Sequence, residues 1–209
     1  MRVQWYFDFI SPYSYFASLS LQRLPASVEV VYRPVLFAGL LSHWGQKGPA
    51  EIASKRLWTY RSCVWHARQH GIAFRMPAAH PFNPLPYLRL CVSAGVTPAS
   101  VRTLFDALWT TGCDPADAGV LKALAERLQV DLDRLADPTV KESLRVSTDE
   151  AVQAGVFGVP TLRIGQELFW GNDGLDLALA YLGDPTLFDS PEMRRAAHVP
   201  VGVARPGTV

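Results

Sequence analysis

"FDFISPYSYF", residues 7 to 16, passes from an alternating apolar segment straight into a helical rhythm, and Ser11-Pro12 marks the crossing. Upstream, Val3, Trp5, Phe7 and Phe9 recur at every second position, so they share one face of a strand. Downstream, Tyr15, Leu19 and the run from Ala17 to Leu24 carry a helical spacing until Pro25 ends it. A serine before a proline predicts a helix start. The serine oxygen can accept an orphan backbone N–H, and the fixed φ of proline suits the first turn. The short, β-branched run from Val28 to Val35 then predicts a second strand, parallel to the first, which completes a βαβ unit.

From Phe37 the pattern turns helical. Pro49 predicts a helix on which Leu57, Tyr60, Val64 and Ala67 recur at steps of three and four until Gly71. "MPAAHPFNPLPY" reads as a proline-rich loop. Thr97-Pro98, Asp114-Pro115 and Asp137-Pro138 repeat the start signal met at Ser11-Pro12, and the last of these helices ends near Gly155. Strands return at Thr161 to Ile164 and Glu167 to Trp170, joined by Gly165-Gln166 in the manner of a type II′ hairpin. A final helix runs from Leu175 to Leu182. Beyond Gly183, Ser190-Pro191 allows a short helix, and the closing "ARPGTV" reads as an irregular extension.

Strand, helix, strand, a long helical stretch, then a hairpin and a closing helix, with proline at the head of the third strand, is the order of an α/β thioredoxin-like domain with a large all-helical insertion. The expected boundaries are 1-36 and 156-183 for the discontinuous thioredoxin-like domain, 37-155 for the helical insertion and 184-209 for a C-terminal extension. The last helix of the insertion is expected to be able to pack on the sheet.

Composition narrows the function. Lys and Arg total 20 against 19 Asp and Glu, which argues against a broad nucleic-acid or membrane-surface footprint, so any anion site must be local. The N-terminal segment is too short and polar for a secretory leader, and no later stretch is apolar enough to span a bilayer. A soluble, cytoplasmic protein is expected. Cys63, Cys91 and Cys113 are widely separated, form no CxxC or zinc spacing, and read as reduced, inert core thiols; no metal site is expected.

By its neighbours alone Ser11 is a helix N-cap. A hydrolase nucleophile would need glycines around it, and "FISPY" has none. A helix N-terminus nevertheless favours an anion, and a hydroxyl there can donate to one. A thiolate suits that seat. Depressing a thiol's pKa by one unit from about 8.5 takes about 1.4 kcal/mol and raises the ionised fraction almost tenfold at neutral pH.

The chain resembles the 2-hydroxychromene-2-carboxylate isomerases, relatives of kappa-class glutathione transferases and of the periplasmic disulfide oxidoreductases. The resemblance rests on "FDFISPYSYFA" at 7 to 17, "GQKGP" at 45 to 49, "WHARQHGIAFRMPA" with Asn83 beyond it, "FGVPT" at 157 to 161 and "WGND" at 170 to 173, in that order. Ser11 and Ser14 stand where the oxidoreductases carry their Cys-x-x-Cys, so disulfide exchange is excluded at that position.

The resemblance implies glutathione as cofactor, with Ser11 facing its sulfur as the catalytic residue. It implies a cis Pro160 and a Val159 whose backbone pairs with the cysteinyl backbone. Trp170, Gly171, Asn172 and Asp173 would hold the γ-glutamyl end, although Asn172 or Asp173 could equally cap the last helix. Trp44, Gln46, Lys47 and Asn83 would meet an aromatic carboxylate substrate, with Lys47 equally readable as a solvated lysine; Arg56, His43 and His80 are weaker candidates. Two departures bear on the site: Gln46 where the family commonly has Asn, and Gly174 where it often has Arg. The implied activity is conversion of 2-hydroxychromene-2-carboxylate, or a close analogue, to trans-o-hydroxybenzylidenepyruvate in aromatic catabolism such as naphthalene degradation. A homodimer is a further expectation. The alternatives are a kappa-like transferase or peroxidase and a non-catalytic thioredoxin-like binding module.

Overall fold

In a computed structural model, which describes residues 1–203, a four-stranded sheet has the order β2-β1-β3-β4. The strands are β1 (Arg2–Phe7), β2 (Glu29–Pro34), β3 (Thr161–Ile164) and β4 (Glu167–Trp170). β2 runs parallel to β1, while β3 pairs antiparallel with both β1 and β4. Helix α1 (Pro12–Ser20) crosses between the parallel strands, and α8 (Gly174–Gly183) follows the hairpin. Between β2 and β3 in the chain lie α2 (Phe37–His43), α3 (Ala53–Gln69), α4 (Leu85–Ser93), α5 (Pro98–Thr110), α6 (Ala118–Arg127) and α7 (Pro138–Gln153), and α9 (Pro191–Ala197) lies beyond α8. The α/β thioredoxin-like order is the observed one. The closing "ARPGTV" lies outside the described residues.

The alternation of β1 sorts its side chains between two apolar clusters. Val3, Trp5 and Phe7 enter a large core with Tyr15 and Phe16 of α1, Phe105 and Trp109 of α5 and Leu162 of β3. Tyr6 points the other way, toward Val35, Leu40 of α2, Ala151 of α7, Val156 and Val159. Aromatic rings join strand to helices: Trp5 stacks on Phe7 at 4.5 Å, and Phe9, just past the strand, meets Phe105 at 4.7 Å. Each such ring removes about 150–250 Å² from water, which makes this junction the main apolar contribution on that face.

Capping explains where the helices begin. Ser11, Thr97 and Asp137 each accept an N–H from their own first turn, at α1, α5 and α7. The fourth expected start is displaced. Asp114 bonds Ala116 N instead, and α6 begins at Ala118 with Asp117 as its cap, because two aspartates in tandem offer the same signal. Residues 85–87 are helical rather than part of the proline-rich loop. On α3 the inward stripe is Thr59, Cys63 and Ala67, so Leu57 and Val64, whose spacing predicts the helix, face solvent. That helix carries two stripes of similar period, and the smaller side chains fit against the core.

Trp109 has a second task besides packing, since its indole N–H donates to Phe9 O at 2.9 Å. Trp109→Phe should lower the unfolding free energy by about 2–4 kcal/mol, from the orphaned carbonyl and the void. Trp58→Phe, on a side chain 65% exposed, should cost under about 0.5 kcal/mol. Urea denaturation of both variants tests the contrast, and equal losses would overturn it.

Candidate functional site

The turn from β1 into α1 is held carbonyl by carbonyl. Asp8 O accepts from Ser11 N at 3.1 Å, and Ser11 O from Tyr15 N at 3.2 Å. Phe9 O accepts from the Trp109 indole at 2.9 Å and Ile10 O from His80 Nε2 at 2.8 Å. Two of those donors come from the helical stretch. A carbonyl can only accept, so a His80 proton sits on Nε2; the Tyr60 hydroxyl lies 2.7 Å from both Nδ1 and His80 O, and its one proton serves these two acceptors. His80, expected as a weak ligand-side candidate, is instead a clamp on the backbone just before Ser11.

Ser11 is buried, with 7% of its surface exposed. Its Oγ accepts from Ser14 N at 3.2 Å, and its proton points to Val159 O across 3.5 Å. An O–H···O bond is normally about 2.7–2.8 Å, so this one is weak and leaves the hydroxyl proton free to turn. Pro12 has no N–H, and Ser14 and Tyr15 spend theirs on Ser11. Among the described residues Tyr13 N is therefore the unpaired donor of the first turn. Ser14 Oγ is buried without a partner among the described residues.

Around that helix end the structure gathers most of the expected cofactor residues. The Val159-Pro160 peptide is cis, Val159 O faces Ser11, and Val159 N makes no hydrogen bond among the described residues. Gly171 N donates to Pro160 O at 2.9 Å, which brings the end of β4 beside Pro160. Gly171 has φ +90°, a conformation that favours glycine. A Cβ on Gly158 would lie 2.6 Å from the Trp170 indole nitrogen, so only glycine permits this approach. Trp170 is more than half exposed and packs on Phe157 at 5.3 Å. Among the described residues Asn172 Oδ1 is buried without a partner, and Asp173 makes no side-chain cap bond to α8. The helix-capping alternative for these two residues is thereby weakened.

The expected substrate residues are more scattered. The Trp44 indole N–H donates to Val156 O at 2.9 Å, which fixes its ring beside the segment leading to Pro160. Gln46 and Lys47 are exposed and make no side-chain hydrogen bond or ion pair among the described residues. Asn83 Oδ1 accepts from Leu85 N at 3.1 Å, at the start of α4. His43 lies edge-on to Trp44, and Arg56 is exposed. A cleft of 620 Å³ between β2, α4 and α7, and one of 630 Å³ lined by α1, Val30 and Ile72, contain none of these residues.

Two residues of the site went unread in the sequence. Tyr13 has its hydroxyl against Ser62 and Cys63 with Asp173 in electrostatic range, and burial pushes both Tyr13 and Cys63 up to about 12. Asp8 is fully buried, its carboxyl pushed up to about 7 by loss of solvent. A tyrosine and an aspartate beside a helix start are too common for spacing to single them out.

The chain belongs to the DSBA-like thioredoxin domain family, whose sequence model matches residues 2–183. Within it, the chain is 30% identical to a 2-hydroxychromene-2-carboxylate isomerase of Sphingobium xenophagum over 87% of its length and 98% of that protein's. A structure of 2-hydroxychromene-2-carboxylate isomerase superposes with a TM-score of 0.76 at 25% identity, covering 91% of this chain and 98% of that one. A kappa-class glutathione S-transferase of Caenorhabditis elegans is 27% identical over 88% of this chain and 92% of its own. By name these relatives are isomerases and a kappa-class transferase, which makes enzymes of the proteins this chain resembles. Among the described residues no helix is long and apolar enough to cross a membrane.

The clamp carries a pH dependence. Burial lowers the pKa of His80 below its ordinary 6.5, although the bond to Ile10 opposes the shift. The folded state then binds this proton less readily than the unfolded chain. Its contribution to stability is complete above about 6.5 and is lost as pH falls below that value. The stability difference between the wild type and His80→Gln should shrink from pH 7.5 to pH 5.5 in urea titrations; a constant difference would exclude His80 as the titrating group.

Proposed function

We propose that the protein is a glutathione-dependent isomerase acting on 2-hydroxychromene-2-carboxylate or a close aromatic analogue, with trans-o-hydroxybenzylidenepyruvate as product. The observation that carries this reading is the Ser11 hydroxyl, buried at the N-terminus of α1 with its proton committed only to a 3.5 Å contact. Ser14 stands one turn on, also a hydroxyl and, among the described residues, without a partner. Such a seat can hold an external thiolate and has no thiol with which to form a disulfide. The isomerase relatives support the substrate class, and a role in aromatic catabolism in the reducing cytoplasm is consistent with it.

Glutathione, when bound, supplies a thiolate that can add to the conjugated ring system and leave again, so that it is regenerated. The chain's own residues seat it. Ser11 Oγ–H and Tyr13 N–H donate at the positive end of α1. Val159 offers an unpaired N–H and a carbonyl to an extended backbone, as an edge strand would. Asp173 suits an ammonium, and Asn172 with the Trp170-Gly171 backbone suits the adjoining carboxylate. On the substrate side Trp44 provides an aromatic wall, while Lys47, Gln46 and Asn83 offer donors to carboxylate and hydroxyl groups.

The kappa-class relative favours a second reading in which glutathione is consumed. Conversion of the chromene carboxylate, followed by absorbance with sub-stoichiometric reduced glutathione, separates the two. Turnovers beyond the glutathione added support the isomerase, and loss of free thiol in step with product supports the transferase. No glutathione-dependent conversion together with no glutathione-induced rise in Tm would leave a binding module. Ser11→Ala should lower kcat/KM about 10- to 100-fold, the worth of one hydrogen bond to a charged group. Asp173→Asn should weaken glutathione binding about tenfold by calorimetry, leaving the bound thiol's pKa unmoved.

A further inference from the structure

Asp8 is a fully buried carboxyl at this site whose chemistry the proposed reaction does not use. It has no exposed surface, and its two carboxyl oxygens are divided between two parts of the chain. Oδ1 accepts from Ile10 N at 3.1 Å, inside the turn that presents Ser11. Oδ2 accepts from Phe37 N at 2.8 Å, the first residue of α2. The N-cap position of α2 is Leu36, which has no side-chain acceptor, so Asp8 supplies that function from 29 residues away. Leu36 N is held in turn by Thr148 Oγ1 of α7 at 3.0 Å. Helix α2 leads directly to Trp44, Gln46 and Lys47. Thus one carboxylate touches both the turn at Ser11 and the helix that carries the substrate-side loop.

We propose that Asp8 is a positioning residue of the site, whose carboxylate locks the Ser11 turn to the first turn of α2 and so fixes the sulfur seat and the Trp44–Lys47 loop in one arrangement. The inference rests on the glutathione reading for its kinetic consequences and on the two hydrogen bonds alone for its structural ones. A carboxylate suits this place because both partners are backbone donors and neither can be satisfied by an apolar side chain. An asparagine can accept only through its carbonyl oxygen and must turn an NH₂ toward one of the two N–H groups. The lock is therefore charge-dependent. A protonated carboxyl carries a hydrogen on one oxygen and weakens one of the two bonds, so the lock loosens with acid.

Among the described residues no charged side chain acts on Asp8; the groups that face it are the N–H groups of Phe9, Ile10 and Phe37. A titratable side chain that bonds the same turn is His80, on the carbonyl of Ile10, its pKa lowered by burial. Asp8 titrates near 7, whereas His80 titrates below 6.5. Burial moves the two groups in opposite directions, Asp8 up and His80 down, so an acid limb in kcat near 7 is assigned to Asp8 by its loss in the Asp8 variant.

Amide hydrogen exchange by NMR on the full chain, from pH 6 to pH 8.5, tests the lock without any ligand. In the wild type, protection of Phe37 and Ile10 should fall as pH drops through about 7, while amides in α5 and α7 keep theirs. In Asp8→Asn the Phe37 or Ile10 protection should be low and insensitive to pH, with α5 and α7 unchanged. Kinetics give the second readout: Asp8→Asn should lower kcat about tenfold at pH 8, raise the bound thiol's pKa in the 240 nm titration, and remove the acid limb near 7. A merely structural role would reduce the amount of active enzyme and leave the limb and the thiol pKa in place, which would overturn the proposal. Should Asp8→Asn not fold, Phe37→Pro deletes the same bond from the donor side, at a helix position where proline is favoured. It should then show the same loss of Ile10 protection. Unchanged exchange at Ile10 and Phe37 in Asp8→Asn, or at Ile10 in Phe37→Pro, would sink the lock. Failure of the wild type to use glutathione would instead sink the cofactor reading and leave the exchange result standing.

Discussion

Everything at the candidate site depends on the backbone of residues 8 to 11 being unable to move. A turn that leaves a strand and starts a helix strips several carbonyls of regular partners, and here they are buried, so each must find a donor or cost on the order of 1–3 kcal/mol. The donors to Phe9 and Ile10 are the indole of Trp109 and the imidazole of His80. Both belong to the long helical stretch between β2 and β3. The helices are thus more than a lid beside a thioredoxin-like sheet, because their side chains complete the hydrogen bonding of the very turn that presents Ser11.

That arrangement links core packing to chemistry. Trp109 stacks on Phe74 and lies against His80 and Phe82. The ring that holds Phe9 is thereby immobilised by apolar contact on several sides. His80 is in turn oriented by Tyr60 of α3. A displaced helix would be felt as a rotated Ser11, even though no residue of α3 to α7 bonds Ser11 directly among the described residues. Preorganisation of this kind is what a weak donor at a helix terminus requires, since its worth falls steeply with misalignment.

The fold was legible because its signals are local. Alternation over Val3 to Phe7, proline-led helix starts at Pro12, Pro98 and Pro138, and the Gly165-Gln166 turn each act within a few residues. The start at Ala118 was misread and the inward stripe of α3 left unread for the same reason: two adjacent signals of equal strength compete locally, and only tertiary packing chooses between them. At the site, Ser11, Val159, Pro160 and the stretch from Trp170 to Asp173 could be named from motifs in order along the chain, and the structure brings them to one place. Asp8, Tyr13, Tyr60 and Trp109 could not, since their partners lie 20 to 160 residues away or are backbone atoms. No spacing rule reports a contact of that kind.

The serine itself is where local and long-range readings meet. As an N-cap it needs only to accept from Ser14 N, a task that Thr, Asp or Asn would also perform. Threonine would add a methyl where 7% of the residue is exposed, and aspartate would bring a negative charge to a seat proposed for an anion. Asparagine keeps an acceptor, but its donor projects further than a hydroxyl on Cβ. Cysteine would cap poorly and, beside a bound thiol, would open a route to a mixed disulfide. A serine alone keeps the cap, the short-range donor and freedom from redox chemistry at one atom. The 3.5 Å contact to Val159 O is what that atom looks like when the cap is satisfied and the proton is still free to be given.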